Sequence, residues 1–290
     1  MLKNLCKSVL RKCFWGFLRY FLSDRQYIKL RYWLELDRLP NLEHPTRFTE
    51  KIQFLKLHQC SDLRRLIANR VTVRDYVEEK VGASYLIPLM GTFEGITPND
   101  WQRLPAQFVL KANHGCGMVR IVRDKTKENY AEVYQQTEKW KRTNYANFGR
   151  ERVYEGLPRT IVAEKLLLNV TQSIPEDYKF FCFDGRVEIM QIDFDRFGKQ
   201  KRNLYDRNFN QLEATLLYPR YDGEVEKPPN LEQAIEVAET LSSELNFVRV
   251  DLYLLDDTIY FGELTNFPGN GFVPFKPESM EYKAGALLKL

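Results

Sequence analysis

Phe247-Val248-Arg249-Val250-Asp251-Leu252-Tyr253, a break at Asp256-Asp257, then Ile259-Tyr260-Phe261-Gly262-Glu263-Leu264: two runs rich in β-branched and aromatic residues about a short polar turn read as an antiparallel hairpin. Side chains alternate along a strand, so Arg249 and Asp251 share one face, with Glu263 on the partner strand across the turn. Two carboxylates and a guanidinium then converge. Hard oxygens of this kind suit Mg²⁺, which takes one or two carboxylates and leaves its other positions to water and phosphate. A cross-strand salt bridge is the plainer reading of the same spacing. The next residues, Thr265-Asn266-Phe267-Pro268-Gly269-Asn270-Gly271, favour a site, because a Gly-rich polar loop leaving a strand end is where ligands are commonly held.

Upstream, Tyr178 to Phe183 and Val187 to Ile192 flank Asp184-Gly185 and form another hairpin signal. Short strands are expected at Tyr85 to Leu89, Phe108 to Lys111, Val119 to Val122 and Thr160 to Ala163. Helical periodicity covers about 25 to 38, 47 to 58 and 62 to 80, the last stopped by Gly82, with further helices over 127 to 142 and 230 to 245. Antiparallel hairpins interleaved with helices predict an α+β protein rather than a doubly wound parallel sheet. The stretch His114-Gly115-Cys116-Gly117 lacks the third glycine of a dinucleotide fingerprint, and there is no G-x-x-x-x-G-K. Lys111, leaving its strand beside this glycine turn, could set an ammonium and backbone N–H groups against phosphate. A plain hairpin turn accounts for the glycines equally well. His114 by itself reads as a loop or core histidine before a catalytic one.

The 290 residues, 44% hydrophobic, with 43 Lys and Arg against 39 Asp and Glu, are those of an ordinary globular protein with ample core. Five scattered cysteines without C-x-x-C suggest reduced thiols rather than disulfides or a zinc knuckle. Three histidines argue against a His-rich metal site or a Ser-His-Asp hydrolase. The near-terminal apolar run Phe14 to Leu18 is too short to span a membrane, and basic residues interrupt any secretory signal, so a cytoplasmic protein is expected. Residues 1 to 40 hold nine basic and three acidic residues, while the remainder is slightly acidic, which argues against nucleic acid as a partner. Within 2 to 22 apolar residues recur at helical spacing opposite Lys3, Lys7 and Arg11. This basic amphipathic helix has two readings, docked on the protein's own core or on an anionic membrane surface or membrane-bound partner at the inner face of the membrane.

In order, V-L-K-A-N-H-G-C-G (109 to 117), V-A-E-K-L-L (162 to 167), D-Y-K-F-F-C-F-D-G (177 to 185), K-R-N-L-Y-D (201 to 206), F-V-R-V-D-L-Y (247 to 253) and F-G-E-L-T-N-F-P-G-N-G-F (261 to 272) resemble the ATP-grasp enzymes, specifically the TupA-like branch named for teichuronopeptide biosynthesis. The resemblance covers about 65 to 290. It implies two α+β lobes clasping ATP: a phosphate lobe over 66–165 and a metal lobe over 166–290, preceded by a helical segment over 1–65. It places Lys111 on the α- and β-phosphates, with the loop His114, Gly115 to Gly117 closing over the triphosphate. Glu164, Lys165 and Leu166 become the adenine hinge, Asp177 the ribose contact, and Lys179 a further phosphate contact. Asp251 and Glu263 hold one or two Mg²⁺. Arg249, Lys201 and Arg202 become the catalytic cations that steady an acyl-phosphate or its tetrahedral adduct.

The sequence departs from the family pattern at three places. Asn69-Arg70 stands where many members have Asp-Lys, so Arg70 takes over that phosphate contact. Glu263-Leu264-Thr265 replaces Glu-x-Asn, leaving Thr265, Asn266 or a water as the third metal ligand. A helical segment replaces the Rossmann-like first lobe. The activity implied is an ATP-dependent, ADP-forming carboxylate–amine ligase acting in bacterial surface polysaccharide biosynthesis. An amino acid would be joined to a sugar acid or amino sugar, with a sugar nucleotide or glycan as partner. The alternatives are phosphate transfer to a glycan, a glycosyltransferase and a non-enzymatic glycan-binding module. The glycosyltransferase would use Asp193-Phe194-Asp195 as its D-x-D, a pair that reads more simply as a solvated strand end.

Overall fold

A computed structural model describes residues 2–195, 198–255 and 258–290, with side chains from Cys6 onward. The chain opens with helices α1 (Leu2–Gly16), α2 (Asp24–Leu36), α3 (Phe48–His58), α4 (Asp62–Ala68) and α5 (Thr72–Val81). Then come β1 (Leu89–Phe93), α6 (Pro98–Arg103), β2 (Phe108–Ala112), β3 (Val119–Val122), α7 (Tyr130–Arg142), α8 (Tyr145–Gly149) and β4 (Ile161–Glu164). The remainder runs β5 (Asp177–Phe183), β6 (Arg186–Phe194), β7 (Lys201–Asp206), β8 (Thr215–Leu216), α9 (Leu231–Ser242), β9 (Phe247–Leu255), β10 (Thr258–Thr265), β11 (Phe275–Lys276) and α10 (Glu278–Leu287). The fold is α+β, with every strand pair within the sheets antiparallel.

A four-stranded sheet has the order β1-β4-β2-β3, and a five-stranded sheet the order β10-β9-β5-β6-β7. The larger sheet is covered on one face by α5 and α9, whose Val77, Ile235 and Leu241 pack on Phe180, Val248 and Val250. Its other face is divided. Phe181, Phe183, Ile189 and Phe247 form an apolar half under α3 and α10, whereas Asp177, Lys179, Arg249 and Asp251 occupy the same side chain parity further along and form a polar half. That division positions the site, because polar side chains on a sheet face must meet water, ligand or one another.

The spacing of 62 to 80 predicts one helix, and the structure has two. Asn69 accepts the N–H groups of Val71 (2.9 Å) and Thr72 (3.3 Å) through its side chain, which starts a new helix and breaks the old one. The strand expected at Tyr85 to Leu89 begins instead at Leu89, after a 3₁₀ turn at Ala83–Tyr85. The amphipathic helix expected to reach residue 22 ends at Gly16, followed by a 3₁₀ turn at Leu18–Tyr20. The Asp184-Gly185 hairpin joins β5 to β6; the expected turn at Asp256-Asp257 lies outside the described residues. Packing also runs across the lobe limits expected at 65 and 165. Phe48, Ile52 and Leu55 belong to the core of the larger sheet, and so do Ile67, Val73 and Val77.

Candidate active site

Between the polar half of the large sheet and the four-stranded sheet lies a cavity of about 620 Å³. Its walls carry Arg70, Lys111, Arg120, Lys165 and Lys179 against Glu164, Asp177, Asp251 and Glu263, with apolar Ile87, Val109, Val119, Ile121, Leu166 and Ile174 completing them. A cleft with one apolar flank and several convergent charges can take a flat heterocycle at one part and polyanionic groups at another.

One irregularity places the acidic pair. Along β9 and β10 the register pairs Phe261 with Leu252 but Glu263 with Asp251, so Gly262 is an extra residue, a β-bulge. Regular pairing would set Glu263 opposite Val250, which faces the apolar core under α9. The bulge turns Glu263 to the cavity side beside Asp251. The residue is glycine where space is short, since a Cβ there would stand 3.0 Å from the Asp251 carbonyl.

Around the two carboxylates the cations form a closed set of contacts. Arg249 grips Asp251 through Nε and Nη2, both at 2.6 Å, and donates to Thr265 Oγ1 at 3.1 Å. Lys179 lies between Asp251 (2.8 Å) and Asp177. Glu263 is 3.3 Å from Arg70 Nη2 and 3.6 Å from Arg249 Nη2, and accepts from Thr265 at 3.2 Å. Burial opposes ionisation of Glu263, but Arg70 and Arg249 outweigh it and hold the carboxyl at about 2. Burial pushes the Asp251 carboxyl up, with Arg249 and Lys179 opposing.

Arg70 is delivered by the helix break at Asn69. Its backbone N–H donates to Asn113 Oδ1 (2.7 Å), its Nε to the Ala112 carbonyl (3.1 Å) and its Nη2 to the Gly115 carbonyl (3.4 Å). One side chain thereby touches the end of β2, the glycine loop and β10. In that loop a Cβ on Gly115 would come within 2.6 Å of the Tyr145 ring, and Gly117 has φ +76°, so both positions require glycine.

The structure brings together Arg70, Lys111, Gly117, Glu164, Lys165, Leu166, Asp177, Lys179, Asp251 and Glu263 around the cavity, with Arg249 and Thr265 bonded to that group. Other expectations are corrected. His114 is buried, with Nε2 2.9 Å from the Trp140 carbonyl and burial lowering its pKa, so it anchors the loop to α7 and does not line the cavity. Asn266 turns away from Asp251 and Glu263, exchanging two 3.0 Å hydrogen bonds with the Arg64 side chain and backbone. Lys201 is near the surface, paired with Asp222 at 2.8 Å. Arg202 shares the sheet face but is held bidentately by Asp193 and does not reach the cavity. Asp193 is therefore a buried partner rather than a solvated strand end, and it is not free to act as half of a D-x-D. Glu164, assigned to the adenine hinge, has its carboxylate on Lys111 (2.6 Å) and Arg74 (3.3 Å), while the Lys165 N–H is spent on the Pro88 carbonyl (3.0 Å). Sequence reasoning passed over Arg74 and Asn113. The signal for Arg74 was a second arginine one helical turn after Arg70; Asn113 carried none apart from its place in the loop.

Among the described residues no three His, Cys, Asp or Glu side chains cluster as a metal cage. Two adjacent carboxylates with a hydroxyl beside them form an open oxygen donor set, which fits a cation that keeps water and phosphate ligands.

Two antiparallel sheets clasping a cavity of this composition define the ATP-grasp class. The chain belongs to the TupA-like ATP-grasp family, whose profile matches residues 50–289. No curated protein matches its sequence. Among solved structures it is similar to D-alanine–D-alanine ligase from Bacillus anthracis complexed with ATP, at 16% identity and TM-score 0.42 over 70% of this chain and 55% of that one. It is also similar to the Helicobacter pylori D-alanine–D-alanine ligase, at 12% identity and TM-score 0.41 over 78% and 62%. The ATP-grasp ligase PsnB, complexed with a phosphomimetic variant of its minimal precursor, Mg and ADP, is similar at 11% identity and TM-score 0.44 over 96% and 73%. The chain spans little more than half the length of those D-alanine ligases.

Proposed function

We propose that this protein is an ATP-dependent, ADP-forming carboxylate–amine ligase that joins an amino acid to a sugar acid or amino sugar in bacterial surface polysaccharide biosynthesis. The observation that carries the reaction class is the bulge-aligned Asp251–Glu263 pair facing Lys111 and Arg70 across one cleft. Lys111 comes from the smaller sheet and Arg70 from the break between α4 and α5, and both supply positive charge for a polyphosphate, while Lys179 and Arg249 come from the larger sheet. In the reaction a substrate carboxylate oxygen attacks the γ-phosphorus, the bond to the β–γ bridging oxygen breaks and ADP leaves. An amine then attacks the acyl carbon of the acyl-phosphate, phosphate leaves and the amine loses a proton, giving an amide. Arg249, half-buried and pre-aligned by Asp251, is the cation suited to the oxyanion of that second step. Asp251, Glu263 and the Thr265 hydroxyl would hold magnesium, which when bound neutralises charge on the β- and γ-phosphates. The surface-glycan substrates rest on the family resemblance alone.

The test replaces the amine with hydroxylamine. With magnesium, ATP and candidate carboxylates, a ligase releases ADP and yields a hydroxamate, because an acyl-phosphate is electrophilic and a phosphate ester is not. ADP release with a stable phosphorylated sugar and no hydroxamate would instead assign the chain to phosphate transfer.

A further inference from the structure

Helix α1 and the 3₁₀ turn that follows it carry apolar side chains on two sides, and the protein covers only one. Phe14 is fully buried among Tyr27, Ile28, Leu34 and Leu42, with Leu10, Trp15 and Leu22 against them, so the helix is docked on its own core. On the other side Val9 (55% exposed), Phe17 (58%), Tyr20 (64%) and Phe21 (80%) face outward. Side chains this exposed protrude from the surface rather than line a groove.

Their exposure is fixed by the fold. Arg150 Nη2 donates to the carbonyls of Arg19 (2.6 Å) and Leu22 (3.2 Å), and Trp15 stacks on Phe148 at 5.4 Å, so the turn carrying the aromatics is tied to the body at both ends. Basic side chains stand on this turn and on the two helices it joins. Lys12 and Lys29 are exposed and make no ion pair among the described residues, and Arg19 lies over the Trp15 and Tyr20 rings. The neighbouring Asp24 is neutralised by Arg150 and Arg152.

We propose that the Phe17–Tyr20–Phe21 knuckle, together with Arg19 on the same turn and Lys12 and Lys29 on the flanking helices, docks this protein on an anionic lipid surface. Aromatic rings settle at the headgroup boundary, basic side chains are drawn to an anionic leaflet, and together they supply the two signals that stable peripheral attachment needs. No helix among the described residues is long and apolar enough to cross a membrane.

The experiment is sedimentation of the full chain with phosphatidylcholine vesicles, with and without phosphatidylglycerol. Binding is expected only with phosphatidylglycerol, and to weaken as salt is raised. Phe17→Ser with Phe21→Ser should weaken it about tenfold or more. Lys12→Glu with Lys29→Glu should weaken it comparably, and all four sites are exposed enough to leave the melting temperature near that of the parent. Equal binding to both vesicle types, or parent-like binding by both variants, overturns the proposal. So does a dimer in light scattering that the phenylalanine variant abolishes while no vesicle binding is seen, since the knuckle would then cover a second copy.

Discussion

Replacing Glu263 by Gln keeps the shape of the side chain and removes the charge that Arg70 and Arg249 face. In the folded protein the carboxyl lies at about 2 against an ordinary 4.5, a difference worth about 3 kcal/mol if undiminished. The side chain is 30% exposed, and screening by water lowers the expected loss in the variant to about 1–2 kcal/mol at neutral pH. Because the folded pKa is depressed, this stabilisation is fully present above about pH 4.5 and disappears as pH falls towards about 2. Denaturant titrations of parent and variant from neutral pH downward should therefore converge below about pH 4.5. ATP turnover should fall at least about 100-fold at neutral pH, since the carboxylate proposed to hold magnesium is lost while Arg70 keeps its bonds to Ala112 and Gly115. Equal stability at every pH together with undiminished turnover would refute both the electrostatic reading and the metal assignment.

Asn266→Ala should cost about 1–3 kcal/mol in denaturant titration by leaving the buried Arg64 guanidinium short of a partner, with the magnesium dependence of turnover unchanged. Arg202→Ala strands Asp193 and should destabilise by about 3–5 kcal/mol, seen as a lowered melting temperature. Arg249→Ala should reduce hydroxamate formation about 10²- to 10³-fold, measured colorimetrically. Asp251→Asn should abolish turnover while far-UV circular dichroism is retained, because the amide conserves shape but loses the ionic hold of Arg249 and Lys179.

The hairpins were legible because a strand buried on both faces reads as an unbroken apolar run, as Phe180 to Phe183 does, and Asp184-Gly185 marks its turn. Strand β7 was hidden. Its Lys201-Arg202-Asn203 looks like solvated surface until Asp193, its partner across the ladder on β6, neutralises Arg202 inside the fold. The same blindness misplaced Lys201 and Arg202 in the site, since strand parity shows which face a cation shares but not which carboxylate captures it. Asn266 failed for a related reason: a motif position predicts an amide near the metal, whereas the buried Arg64 is a stronger claimant for it. Asp251 and Glu263 were found on one side of the sheet by residue type, though nothing in the sequence announced the bulge that puts them there.

That bulge makes the acidic pair a matter of counting as much as of identity. The side of the sheet on which Glu263 emerges is set by whether an odd or even number of ladder residues separates it from the hairpin turn, and the bulge takes Gly262 out of that count. Were Gly262 drawn into the regular ladder, every chemical group of the site would stay in the chain and the carboxylate would still be driven into the layer occupied by Val250 and Leu241, whereas deleting Gly262 leaves Glu263 opposite Asp251. In reading distant relatives, a gap at this position is therefore the loss of a bulge and not of the site, wherever the glutamate beside it is retained.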